Sequence, residues 1–279
     1  MTGSKGRIAI TGAAGSLAGD IIPGLQQDGY SVVGIDQRTP ADLCGATWFE
    51  CSINDRDALA GALDGCDAVI HLAGIPLEAD WDDLLRTNID GTQAVLEMAR
   101  QAGIRRVVLA SSIHSVGFVE VPDDGKVVDD VVIRPDTFYG VTKAAVEALG
   151  SLYHHRHGMD IFCLRIAGRF EQPHNERMLS VWLSPADALG LFTACLTTDN
   201  GGFHTVWGVS ANTRSYLSDD GGKAIGFFPR DNAEDYAAEL LDDGRDGGPV
   251  LASKWDQQFI GGDFCSPDPP RFKGSQQTR

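Results

Sequence analysis

Tyr139-Gly140-Val141-Thr142-Lys143 places a phenol and an ammonium at i and i+4, one turn apart on one face of a helix. A neighbouring cation favours the phenolate, so Lys143 is expected to draw the Tyr139 pKa down toward working pH and make it a general base. Ser112 tips the apolar run Val107-Val108-Leu109-Ala110-Ser111-Ser112, where its hydroxyl can hold a substrate oxygen during proton transfer. Tyr-x-x-x-Lys alone is also what a surface helix displays. It becomes a catalytic pair only if a hydride acceptor stands beside it.

A second stretch supplies that acceptor. Ile8-Ala9-Ile10 runs into Gly12-Ala13-Ala14-Gly15-Ser16-Leu17-Ala18, a strand pattern ending in a glycine turn that opens a helix. Gly12 permits the tight turn. Gly15 lets the backbone approach a pyrophosphate, and Ala18 keeps helix and strand close. The free N–H groups of the helix's first turn, from Ser16 and Leu17 on, then face the phosphates, and Ala14 in the turn is a further cofactor residue. The next strand, Ser31 to Asp36, ends in a carboxylate placed to accept from an adenosine ribose diol. Asp36, followed by Gln37, predicts NAD over NADP, although Arg38 is a cation that suits a 2′-phosphate.

The elements that position these groups alternate strand and helix, the sequence form of a parallel sheet covered on both faces. Strands are expected at 46–50, 68–74, 107–112 and 161–166, and helices at 17–27, 55–63, 81–101 and 139–155. Pro23 should kink the first helix or start a new one. Beyond 166 the alternation weakens. A helix at 187–196, a strand at 203–209 and a helix at 232–241 are expected, then a tail from Ser266, rich in Pro267, Pro269 and Pro270, that is extended or mobile. The fold class is α/β, a doubly wound parallel sheet with a small C-terminal substrate-binding cap. One domain covers 1–265, with 1–166 mainly for cofactor and 167–265 mainly cap.

Composition excludes several classes. A formal charge of −16 over 279 residues repels nucleic acid and anionic membrane. No run of about 20 apolar residues occurs, and the cytoplasm is the default location. Six cysteines (44, 51, 66, 163, 195, 265) show no metal-ligand spacing and read as free thiols, Cys163 in a buried strand. His154, His155 and His157 close a helix, where cationic groups suit the dipole; no metal site is expected. His71 reads as a strand residue near the cofactor. His114 reads as either a substrate contact or packing, and Trp182 and Trp207 as core or pocket wall.

With these residues in view, the chain resembles the extended short-chain dehydrogenases/reductases. The phosphate turn, Asp36, His71-Leu72-Ala73-Gly74, Asn88, Ser111-Ser112 and Tyr139/Lys143 fall in that family's order. Within it the chain is similar to the NAD-dependent uronate dehydrogenases. Arg165-Ile166, Asn175 to Trp182, Val206 to Asn212 and Pro229 to Glu234 carry that similarity. The resemblance implies a Rossmann-like fold and oxidation of a sugar-acid C1 hydroxyl to an aldonolactone by NAD. It implies Tyr139 as base, Lys143 on the nicotinamide ribose, and Arg177 on the substrate carboxylate. Cofactor contacts are also implied at Ser52, Ile53, Leu72, Ala73, Gly74, Asn88 and Ile166, and substrate contacts at Ile75, Ser112, Ile113, His114, Gly168 and Arg169. Pro76, Ile113 and Gly168 stand where that subfamily has polar groups, and Arg169 adds a second cation. A phosphorylated or sulfonated aldose is therefore an alternative to a hexuronate. Rival readings are a nucleotide-sugar epimerase or dehydratase and an NAD-sensing binding protein. A homo-oligomer paired through the helix carrying Tyr139 is common in such enzymes.

Overall fold

The computed structural model describes residues 5–43, 45–242 and 248–272. Cys44 and the tail beyond 272 lie outside the described residues. Seven parallel strands form one sheet: β1 (Gly6–Thr11), β2 (Tyr30–Asp36), β3 (Thr47–Glu50), β4 (Ala68–His71), β5 (Arg106–Ser112), β6 (Asp160–Ile166) and, after a two-stranded ladder of β7 (Gly168–Arg169) and β8 (Trp182–Leu183), β9 (Phe203–Gly208). Their spatial order is β3-β2-β1-β4-β5-β6-β9. The order reverses between β1 and β4, so the crevice where such sheets bind ligands opens above their C-terminal ends.

The strands are apolar on both faces because both are covered. Ile8, Ile10, Phe162 and Leu164 meet α1 (Ser16–Gln27) and α7 (Pro185–Thr197) through Ile21, Leu25 and Phe192. Ala9, Ile161 and Cys163 point the other way, with Leu59, Val95, Leu96 and Val146. Those come from α2 (Arg56–Leu63), α4 (Gly91–Gln101) and α5 (Phe138–His157). The preceding α3 (Trp81–Leu84) and α6 (Met178–Val181) are single turns. The chain after 166 does not form a cap alone, since β9 and α7 complete the main sheet.

Four expectations are revised. Pro23 lies inside an unbroken α1; burial of Ile21, Ile22 and Leu25 outweighs the lost backbone bond. The expected helix 81–101 is interrupted by a π-helical turn, Leu85–Asp90, which turns Asn88 inward. The helix expected at 232–241 is a 3₁₀ turn, Ala233–Tyr236, and one α turn, Ala237–Leu240. The described part of the tail is pinned rather than loose. Phe272 N–H donates to the Glu78 carbonyl at 2.7 Å, and Arg271 bridges Glu78 and pairs with Asp80.

A buried ion pair ties α5 to the sheet. Arg165 donates to both Glu147 oxygens at 2.9 and 2.8 Å, with both side chains about 5% exposed or less. Ser111 and Ser115 donate to the same carboxylate at 2.6 and 3.0 Å, and Arg165 reaches the Asp129 carbonyl and the Trp207 ring. Removing one partner of such a pair strands the other charge in low dielectric. Arg165→Met should therefore cost about 3–5 kcal/mol in urea unfolding, and Arg165→Met with Glu147→Met should recover much of it. Equal losses in the single and double variants would show that the stranded charge is not the cause.

Candidate active site

The turn between β1 and α1 is built for close approach. Gly12 has φ 70°, and a Cβ there would sit 2.6 Å from the Ala73 backbone nitrogen. The glycine lets the phosphate turn and the β4 turn touch. Gly15 caps α1 with no side-chain bond to the first turn, and no acidic residue stands in that turn. Its N–H groups are thus left for an anion, as a dinucleotide pyrophosphate requires. Ala14 N–H donates to Asp36 Oδ2 at 3.1 Å, and Arg38 N–H to Oδ1 at 3.2 Å, so the turn and the β2 tip hold each other. This cradle fits the dinucleotide expected from the sequence.

Below it, His71 is clamped between Thr11 Oγ1 (2.7 Å) and Thr92 Oγ1 (3.0 Å). Burial, with Lys143 adding repulsion, lowers its pKa to about 3. Asn88 accepts from Ile75 N–H at 2.8 Å and donates to the Ile75 carbonyl and Thr142 Oγ1. Its amide therefore fixes the Leu72-Ala73-Gly74-Ile75 turn against α5. Ile53 is buried in the core, Ser52 bonds its own loop through Asn54 N–H, and Ile166 ends β6 half-buried.

Ser112 ends β5 beside the Tyr139 phenol, where its hydroxyl favours the phenolate. Lys143 Nζ lies 5.6 Å from the Tyr139 ring centre and donates to the Ala110 carbonyl at 2.7 Å. It also approaches Gly74, which joins the pair to the cradle. The tuning expected from the sequence is reversed. Burial pushes Tyr139 up to about 12, opposed by the Ser112 hydroxyl and reinforced by Asp136. Burial likewise lowers Lys143 to about 8, with Glu147 opposing. Desolvation outweighs the attraction between the two, and the phenol rests neutral.

Beside the phenol, His114 Nδ1 meets Asp136 Oδ2 at 2.6 Å. The imidazole stacks on Phe264 at 3.8 Å between centres and stands edge-on to Tyr139. Glycines make room for the Asp136 carboxylate, because a Cβ at Gly117, Gly140 or Gly261 would collide with it. Segment 256–265 continues from this pair to Arg177, whose Nη2 donates to the Ile260 carbonyl at 2.5 Å and whose Nε faces Asp256 at 3.3 Å. Gly262 packs against that guanidinium. A cavity of about 350 Å³ opens there, lined by Arg177, Ser180, Arg214, Tyr216, Asp256 and Gln257 among others. A larger one, about 500 Å³, lies beside β9 between Lys126 and Phe228 and is lined by none of the expected site residues.

Ser112, Tyr139, Lys143, His114 and the cradle are thus brought together. Ile113 is a correction: it is 2% exposed and packs with Val116, Trp207 and Ile260, because the 3₁₀ turn after Ser112 directs it into the core. Gly168 pairs with Trp182, and Arg169 pairs with Asp20 on α1, away from Arg177. Sequence reasoning missed Asp136, Glu147, Asp256 and Phe264. Glu147 was readable, since it continues the Tyr139/Lys143 face by one more turn; the others meet their partners only through the fold.

Residues 8–190 match the NAD dependent epimerase/dehydratase family. The chain is 35% identical over 254 residues to the NAD-dependent glucose-6-phosphate dehydrogenase of Haloferax volcanii, covering 83% of this chain and 96% of that one. It is 33% identical over 238 residues to the uronate dehydrogenase of Pseudomonas putida, covering 84% and 87%. A crystal structure of a uronate dehydrogenase mutant from Agrobacterium tumefaciens, complexed with NAD, superposes with TM-score 0.83 at 31% identity, covering 93% and 97%.

The clamped imidazole has a consequence for acid stability. The unfolded chain protonates His71 near 6.5 and the folded one near 3, so between those values the unfolded state binds more protons and stability drops as the pH is lowered. This group alone contributes a slope of up to about 1.4 kcal/mol per pH unit. His71→Gln should show a shallower loss between pH 6.5 and 5 in urea unfolding; parallel slopes would place the acid sensitivity elsewhere.

Proposed function

This chain is a member of the NAD dependent epimerase/dehydratase family, and on that premise we propose that it oxidises the C1 hydroxyl of an anionic cyclic aldose, a hexuronate first, to the aldonolactone. NAD, when bound, supplies the acceptor for the hydride that leaves C1. The remaining work falls to the chain's own residues. Ser112 holds the C1 oxygen, and Tyr139 takes its proton. Lys143 holds the cofactor ribose and supplies positive charge as the phenol ionises. Arg177 orients the far end of the sugar, since a guanidinium fork matches two oxyanion oxygens.

One observation carries this reading. The Ser112–Tyr139 pair sits at the mouth of the dinucleotide cradle, and the segment that stacks on His114 also holds Arg177. A sugar phosphate is the second reading, favoured by the two guanidinium groups, Arg177 and Arg214, on the 350 Å³ cavity and by the Haloferax volcanii relative. NADH formation across hexuronates, hexose phosphates, sulfonated hexoses and neutral hexoses decides between them. Nucleotide sugars in the same panel test the epimerase-like alternative, and no turnover with any sugar would leave only a binding protein.

Two variants test the roles. Tyr139→Phe keeps the ring but removes the proton acceptor, a loss of ~10²–10⁴-fold in turnover, while NADH affinity measured by fluorescence stays within a few-fold. Wild-type turnover in that variant would remove Tyr139 as base. Arg177→Ala should lower kcat/KM roughly ten- to a hundredfold on the anionic sugar and far less on its neutral counterpart. An equal loss on both would mean that Arg177 only supports segment 256–262.

A further inference from the structure

The two guanidinium groups that the sequence assigned to the sugar have different partners. Arg177 meets Asp256 and the Ile260 carbonyl. Arg169 meets the phosphate helix instead. It follows β6 by three residues, at the C-terminal edge of the sheet, and reaches across to Asp20 on α1. Asp20 stands one helical turn beyond Ser16, the first residue of the phosphate helix. Both side chains are largely buried, Arg169 at 18% exposed and Asp20 at 13%. Arg169 pairs with Asp20 through one terminal nitrogen, and its Nε is shielded from water without a hydrogen bond of its own.

The electrostatics of the cradle explain why a cation is wanted there. The phosphate turn Gly12–Leu17 contains no basic residue, so its donors are backbone N–H groups and the helix dipole. Asp20 is a carboxylate one turn behind them, in a chain of net charge −16. A bound pyrophosphate brings more negative charge to the same helix end, and an unpaired Asp20 would repel it through low-dielectric surroundings. Arg169 is the group that offsets both. Its uncommitted Nε leaves donor capacity after Asp20 is satisfied, and guanidinium geometry suits a phosphate.

We propose that Arg169 is a cofactor residue rather than a substrate residue: it neutralises Asp20 and donates to the pyrophosphate of the bound dinucleotide. Asp20 is the positioning residue, holding the guanidinium over the phosphate helix before the cofactor arrives. The proposal rests on the NAD reading of the cradle and extends it to a side chain outside the glycine turn.

Binding of NADH and of ADP-ribose, by fluorescence and calorimetry, tests it on the full chain. Arg169→Ala should weaken both ligands roughly ten- to a hundredfold. ADP-ribose keeps the pyrophosphate and lacks the nicotinamide, so a loss shared by both ligands locates the contact. Asp20→Ala should weaken both ligands by less than Arg169→Ala does, since it loosens the guanidinium but also removes a repelling carboxylate, and Asp20→Ala with Arg169→Ala should bind better than Arg169→Ala alone. At saturating NAD, the sugar KM should stay unchanged in Arg169→Ala. A merely structural ion pair would lower thermal stability in both single variants without moving either affinity, and that result overturns the proposal. So does a raised KM for anionic sugar with NADH affinity intact. Absence of NADH binding by the unaltered protein removes the cofactor reading and this proposal with it, whereas binding indifferent to Arg169 removes the proposal alone.

Discussion

The Glu147 carboxylate is the contact through which the site holds its shape. It accepts from Arg165 on β6, from Ser111 on β5 and from Ser115 in the turn beyond it. Helix α5 is thereby fixed in rotation and height against two strands. Tyr139, Lys143 and Glu147 share one face of that helix, so anchoring the last of them sets the other two. Ser112 follows Ser111 directly, and Ile166 follows Arg165. The same carboxylate therefore locates both the serine beside the phenol and the C-terminal end of β6.

Local chemistry was legible in the sequence. The Gly12 turn, Asp36 and the Tyr139/Lys143 spacing are each read within a few residues, and the described structure brings them to one crevice. The alternation of apolar runs gave the seven-stranded sheet for the same reason, because strands covered on both faces have to be apolar throughout. What escaped depends on distance along the chain. His114 and Asp136 lie 22 residues apart, and Arg177 reaches Ile260 over 83. Nothing near Arg177 announces Asp256. Ile113 misled for a different reason: a 3₁₀ turn rotates successive side chains by about a third of a circle, so its neighbours face the site while it faces the core.

The charge state of the site follows from burial. Tyr139 is pushed up, Lys143 and His71 are pushed down, and in each case desolvation is the leading cause. A closed pocket disfavours every ion inside it unless a partner is supplied. Glu147 has its partner in Arg165, and Asp136 has hydrogen bonds from His114 and Thr137. Tyr139 and Lys143 touch neutral groups instead, Ser112 at the phenol and the Ala110 carbonyl on the ammonium, so burial decides their charge.

Segment 256–265 meets the Asp136 carboxylate through Gly261, the His114 ring through Phe264, the Gly117 carbonyl through Cys265 and the Arg177 guanidinium through Ile260. In translation order this places the finishing wall of the pocket almost a hundred residues after β6. A nascent chain emerging at several residues per second exposes the phosphate cradle, and then the phenol and its serine, well before that wall arrives. The residues around the phosphate turn and the phenol thus leave the ribosome before the segment that closes over His114 and Arg177.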